Sequence, residues 1–210
     1  DGIVILGSYG YLSWTDASNE TPIARIGHGT HPNLTLAIGI DEQDAMRKIF
    51  GHLAKDLGLK KIAYASRELA AHHMRRDAAE EAAKFFGCDY SCLPVSSETS
   101  DFKAGTNIAR ALMDKGRENL PQAIVCATDT IAMGIIKRFY ECGVRVPEDV
   151  AIVGFDDISA AANYIPSITS FRQPVKLFAQ KCFNVVSENV EPQILNVEGE
   201  LLIRKSTMKL

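Results

Sequence analysis

What this sequence lacks already narrows its function. In 210 residues no apolar run approaches the ~18–20 residues that cross a bilayer, and no charged-then-apolar leader opens the chain. There is no basic run either. The 23 Lys and Arg against 26 Asp and Glu leave a net charge of −3, a poor balance for gripping nucleic acid unaided. The five cysteines, Cys88, Cys92, Cys126, Cys142 and Cys182, are odd in number and widely scattered, which argues against a disulfide framework and for a reducing cytoplasm. Cys88 and Cys92 have no second Cys/His pair at zinc spacing. Neither His28 with His31 nor the pair His72-His73 has a carboxylate or cysteine to complete a set, so no metal centre is expected. No G-x-S-x-G elbow, G-x-x-x-x-G-K-[ST] loop or G-x-G-x-x-G turn occurs. An enzyme reading thus has no nucleophile, cofactor loop or metal set to support it and is not the expected one, and no bound cofactor is expected. Repeats, low-complexity tracts and long linkers are missing too.

What is present is a regular alternation. Apolar runs of four to six residues recur between longer segments of helical period, which predicts βαβ units, a mostly parallel sheet and the α/β class. Strands are predicted at Ile3–Leu6, Pro22–Gly27, Leu34–Ile40, Lys61–Ala65, Tyr90–Val95, Ala123–Ala127, Val150–Phe155 and Leu201–Arg204. Helices are predicted from Asp41 to Gly58, from about Ala70 to Phe86, and over Phe102–Lys115, Thr130–Cys142 and Val175–Ser187.

Ligands of open α/β sheets sit beyond the carboxyl ends of the strands. Only a few polar residues follow those ends: Ser8, His28, Ser66-Arg67, Thr128-Asp129 and Asp156-Asp157. Such groups suit a polyhydroxylated ligand, because hydroxyls pair with carboxylates, amides and Arg. Asp129 and Asp157 have a second reading as caps of backbone amides, although one cap cannot use both Asp156 and Asp157. The residues alone predict an α/β ligand-binding or enzyme domain and go no further.

Val146-Pro147-Glu148-Asp149 with Gly154-Phe155-Asp156-Asp157, Asp1-Gly2-Ile3-Val4 and the tail Leu201–Thr207 are among six segments that together resemble the lac-repressor (LacI/GalR) family of bacterial transcription regulators. Residues 146–157 resemble its V-P-E-D-[VI]-x-[VI]-[VI]-G-[FY]-D-[DN] block, and Asp1-Gly2-Ile3-Val4 its D-G-[IL]-[IL] strand. Residues 58–63 resemble G-H-[RK]-x-I-[AG] with Leu59 for His, and residues 122–134 resemble the segment ending N-D-x-x-A-x-G. Residues 166–174 resemble P-x-L-T-[TS]-[VI]-x-Q-[PD], and residues 201–207 the closing L-[VI]-x-R-x-S-T.

The resemblance implies a two-lobed, periplasmic-binding-protein-like fold of type I that closes on a small molecule. Strands would cross between the lobes near Ile40, Gln173 and Pro192, giving an incomplete N-terminal lobe of residues 1–40 plus 174–192 and a C-terminal lobe of 41–173 plus 193–210. It assigns ligand hydroxyls to Asp156. It assigns polar ligand groups to Arg75, with Arg76 competing because Ala78-Ala79 replaces the family's Gly-aromatic pair. Thr128 stands in for the usual Asn, His28 serves where Gly27 replaces Asp, and Phe102 lies two places from Ser100, where an aromatic is usual. Ser8 joins this set, and Tyr9, Tyr11 or Trp14 could add an aromatic face for a sugar.

The implied function is the ligand-sensing and dimerisation core of a cytoplasmic repressor-type regulator. It would form a homodimer, bind a sugar or sugar derivative, touch no membrane, and reach operator DNA through an N-terminal helix-turn-helix headpiece absent from this chain. The abrupt opening at Asp1 fits a missing upstream part. The alternative is a periplasmic solute-binding protein of the same fold serving a transporter.

Overall fold

The computed structural model describes residues 2–7, 21–27, 34–96, 99–187 and 191–208. Strands β1 (Ile3–Leu6), β2 (Ile23–Ile26) and β3 (Leu36–Ile40) lead into helix α1 (Glu42–Gly51), which continues as a wider turn over His52–Asp56. Then follow β4 (Lys61–Arg67), α2 (Ala70–Phe86), β5 (Asp89–Val95), α3 (Asp101–Asp114), β6 (Ala123–Cys126) and α4 (Asp129–Glu141). The chain ends through β7 (Ala151–Asp156), α5 (Ser159–Asn163), β8 (Thr169–Arg172), α6 (Val175–Ser187), β9 (Gln193–Val197) and β10 (Glu200–Leu202).

Two compact units result. Unit 1 comprises Asp1–Asp41 and Gln173–Gly199, and unit 2 comprises Glu42–Arg172 and Glu200–Leu210. In unit 1 the strands run in the order β1-β2-β3-β9, each neighbouring pair parallel. Helix α6 packs on this sheet through buried Phe178, Cys182 and Val185. The three lie at steps of four and three, one stripe of an amphipathic helix.

Unit 2 holds a six-stranded sheet in the order β10-β8-β7-β6-β4-β5, parallel except for β10 against β8. The central strands are buried along their length, and so they read as continuous apolar runs. Helices α1 and α2 pair, as do α3 and α4. The second pairing depends on two glycines. A Cβ on Gly105 would lie 2.1 Å from the Ile131 carbonyl oxygen, and one on Gly134 would lie 2.2 Å from that of Phe102. Backbones this close admit no side chain, so these glycines are packing devices rather than flexible points.

Strands β8 and β9 were not foreseen from the sequence. β9 moves the last crossing from the expected neighbourhood of Pro192 to Gly199–Glu200. Its residues pair with β3 from Leu36↔Gln193 to Ile40↔Val197, which places 193–199 in unit 1. The physical reason is backbone satisfaction: β3 would otherwise keep an unpaired edge of N–H and C=O groups.

Candidate functional site

Three adjacent strands of unit 2 end together: β7 at Asp156, β6 at Cys126 and β4 at Arg67. Their ends gather charged side chains, and Arg75 lies at the centre. It comes from the second turn of α2 and is buried. Its Nε and Nη2 donate to the two carboxylate oxygens of Glu42, at 2.8 and 2.9 Å, and its Nη1 donates to the Ala127 carbonyl at 2.6 Å. The guanidinium carbon sits 3.4 Å from the ring centroid of Phe155. Burial opposes the charge of Arg75, but the facing Glu42 outweighs it and raises the guanidinium's proton affinity, and Asp156 adds to the effect. A bidentate Arg–carboxylate fork against an aromatic face is a strong and direction-fixing arrangement.

A second pair lies beside it. Arg67 at the end of β4 donates to Asp101 Oδ1 at 2.9 Å, and the Thr128 hydroxyl donates to Asp101 Oδ2 at 3.0 Å. Thr128 is also the N-cap of α4 and accepts from the Ile131 amide at 3.2 Å. His72 is buried next to these groups. Burial, then the charge of Arg75, lowers its pKa, and its Nδ1 has no hydrogen-bond partner. Phe102, in the first turn of α3, keeps 38% of its surface exposed.

The loop after β7 is built on Asp129. This carboxylate is 1% exposed, accepts from Ser170 Oγ at 2.6 Å and from the Ile158 amide at 2.8 Å, and so caps α5 rather than its own helix. Burial pushes its pKa up to about 6, the neighbouring Asp156 and Asp157 carboxylates adding to the rise against the two hydrogen bonds. Gly154 leaves room for it, since a Cβ there would lie 2.1 Å from Asp129 Oδ1. Asp156 and Asp157 then take positive φ, 100° and 51°. Asp tolerates the left-handed region near 51° better than most residues, whereas 100° is further out, and such positions cost of order 1–3 kcal/mol.

The sequence-predicted residues thus separate into groups. Arg75 and Asp156 belong to one cluster at the strand ends. Arg76 does not, being partly exposed and paired with its neighbour Asp77 at 3.3 Å. Thr128 spends its hydroxyl proton on Asp101 and one lone pair on the cap, leaving one acceptor position. Phe102 borders this group, next to Asp101. Ser8 and His28, with Tyr9, Tyr11 and Trp14, lie outside the described residues. Glu42 and Asp101 were missed. A carboxylate in the first turn of a helix reads as dipole stabilisation, and nothing local marks it as the partner of a buried Arg. Among the described residues no cluster of three or more His, Cys, Asp or Glu could hold a metal ion. No described helix is long and apolar enough to cross a membrane.

A cavity of about 490 Å³ lies at the opposite end of this sheet, lined by His52, Asp56, Gln122, Glu148, Thr207 and Met208 among others, and shares no residue with the cluster above.

Residues 50–207 match the periplasmic binding protein-like domain family. Among curated proteins, the HTH-type transcriptional repressor PurR of Vibrio parahaemolyticus serotype O3:K6 is 28% identical over 126 residues, 56% of this chain and 38% of that protein. The matched stretch thus spans little more than a third of the length of that relative. Among solved structures, a LacI family transcriptional regulator from Arthrobacter sp. FB24 in complex with lactose has a TM-score of 0.76 at 21% identity, covering 89% of this chain and 71% of its own. A sugar-binding transcriptional regulator (LacI family) from Escherichia coli, complexed with phosphate, has a TM-score of 0.78 at 23% identity, covering 97% and 76%. The chain belongs to the periplasmic binding protein-like domain family.

Proposed function

We propose that this core senses an uncharged, hydroxyl-rich effector, a sugar or sugar derivative, at the carboxyl ends of the strands of unit 2. One observation carries the reading: the guanidinium groups at this end are paired with carboxylates, Arg75 with Glu42, Arg67 with Asp101, and Arg172 and Arg204 with Asp157, while Asp156 adds a fourth negative charge. A site so balanced has no surplus positive charge to attract an anion. The Asp156 carboxylate and the N–H groups of Arg75 not used by Glu42 or Ala127 suit hydroxyls. Phe102 offers an aromatic face for sugar C–H surface, and Thr128 its remaining lone pair. That a regulator of the same fold is known in complex with lactose is consistent with this ligand class.

In the whole protein, effector binding would shift the population of a DNA-competent homodimer in the cytoplasm, with operator DNA held by an N-terminal headpiece that this chain does not include. Binding is the proposed activity, and no catalytic step is assigned.

Calorimetry of the full-length protein against a panel of sugars and nucleosides, with operator binding followed in parallel, tests the reading. At least one sugar is expected to bind and to change operator affinity. Asp156→Ala should weaken that binding by about 10–100-fold, the scale of a hydrogen bond to a charged group, while the protein stays folded and dimeric. If no sugar binds and operator affinity never responds, the sensing role is wrong. Aggregation or loss of the dimer in Asp156→Ala would make Asp156 a structural residue instead.

A further inference from the structure

We infer that Asp157 is the positioning residue of this site: it holds the Asp156 carboxylate in place and ties it to the segments where the chain leaves and re-enters unit 2. The inference rests on the proposed role of Asp156 as an effector contact.

Asp157 is 8% exposed at its side chain and carries two arginines. Arg172 Nε donates to one carboxylate oxygen at 2.7 Å and Arg204 Nη2 to the other at 2.6 Å. Its amide donates to Ser170 Oγ at 3.0 Å, and that hydroxyl in turn donates a hydrogen bond to Asp129 Oδ1 at 2.6 Å. The next amide, of Ile158, also goes to Asp129. The loop is therefore pinned by two backbone amides and one carboxylate immediately after Asp156. This over-determination is what can hold Asp156 at a φ of 100°.

The two arginines give the latch its second property. Arg172 is the last residue of unit 2 before the chain passes into unit 1, and it faces Glu200, the first residue after the chain returns. Arg204 follows β10 and also donates to the Ile168 carbonyl at 2.8 Å, just before β8. One carboxylate thus fastens both the outgoing strand β8 and the segment behind the incoming strand β10. Any change in the backbone at Asp156 on binding reaches both segments through its neighbour.

The test compares Asp157→Asn, Arg172→Gln and the double variant in the full-length protein. Amide hydrogen exchange is measured without effector, and binding is measured with lactose, D-galactose and D-ribose as probes. Release of the latch should speed exchange of the Asp157 and Ile158 amides about tenfold while β4 and β6 keep their protection. Binding of whichever probe the wild type takes should weaken about tenfold, and the double variant should lose no more than the stronger single one. Arg172→Gln, at a half-exposed position, serves even if Asp157→Asn folds poorly. Unchanged exchange at those two amides, effects that multiply in the double variant, or faster exchange throughout unit 2 would each overturn the latch. If the wild type binds no probe, the effector proposal fails separately, and exchange alone still decides whether the latch exists.

Discussion

The two ends of the unit 2 sheet have the same strands and opposite characters. At the amino end lies the cavity of about 490 Å³, and its ion pairs are largely at the surface: Asp149 meets Arg117 and Arg145, whose side chains are 52% and 68% exposed. At the carboxyl end the central charges are buried and hold one another, with Glu42 and Arg75 at 6% and 9% exposure, and the Arg67–Asp101 pair beside them is only partly exposed. The polar contacts of the amino end tie the last residues of unit 2 to its core. His52 bridges Asp56 and Thr207, at 3.1 and 3.0 Å, and Ser206 Oγ donates to the Ile152 carbonyl at 2.6 Å. The difference teaches that open volume and chemical organisation are separate properties. Desolvated, direction-fixed charge marks where a polar ligand can be read, because each of its hydrogen bonds gains from low dielectric.

Substitutions at the two ends can break this comparison. The largest effect is expected at Arg75. Arg75→Met removes the bidentate guanidinium from the buried Glu42 carboxylate and should destabilise the fold by about 3–5 kcal/mol in urea titrations, with much of the loss recovered when Glu42→Leu is added. If the single change costs no more than a surface mutation, the carboxyl end is not organised by buried charge.

A pH experiment on Asp129 comes next. Because its folded pKa, about 6, lies above the ordinary 3.8, the folded state binds the extra proton, and the ionised form is the penalised one. Stability from this group is present in full below about pH 4 and is lost as pH rises through 6, a change of about 3 kcal/mol. The stability difference between wild type and Asp129→Asn should therefore vary with pH over that window, and a flat difference would refute the assignment.

The smallest effect is expected at the amino end. Arg145, the amide of Arg145 and Arg117 together hold the Asp149 carboxyl below the usual range, yet its partners are solvent-screened. Asp149→Asn should cost under about 1 kcal/mol and less in high salt. A loss as large as that at Arg75 would erase the distinction between the two ends.

Much of the fold was legible because the central strands are buried on both faces. Ala123–Cys126 and Ala151–Phe155 are unbroken apolar runs, and no helix of normal length fits between their flanking turns. β9 was not legible, because a half-exposed strand shows its pattern only against a partner. Its Ile194 is 67% exposed while the adjacent Leu195 is partly covered, so two neighbouring aliphatic residues take opposite faces and the sequence shows no apolar–polar alternation there. At the site, the pair Asp156-Asp157 after a buried strand stood out in the sequence. Its division of labour did not: one carboxylate is clamped by Arg172 and Arg204, residues 15 and 47 positions away.

The sequence by itself determined the α/β class, the buried strands and the family, since these depend on residue type and spacing along the chain. Only the tertiary structure decided that Arg75 rather than Arg76 joins the cluster at the strand ends. Neighbours on a helix point about 100° apart, and which one turns inward is set by how α2 packs against β4 and α1, not by either arginine. The same holds for Asp129, Thr128 and Asp157. Each is a polar residue at a strand end, and what separates a cap, a brace and a latch is the partner that distant segments bring within hydrogen-bond reach.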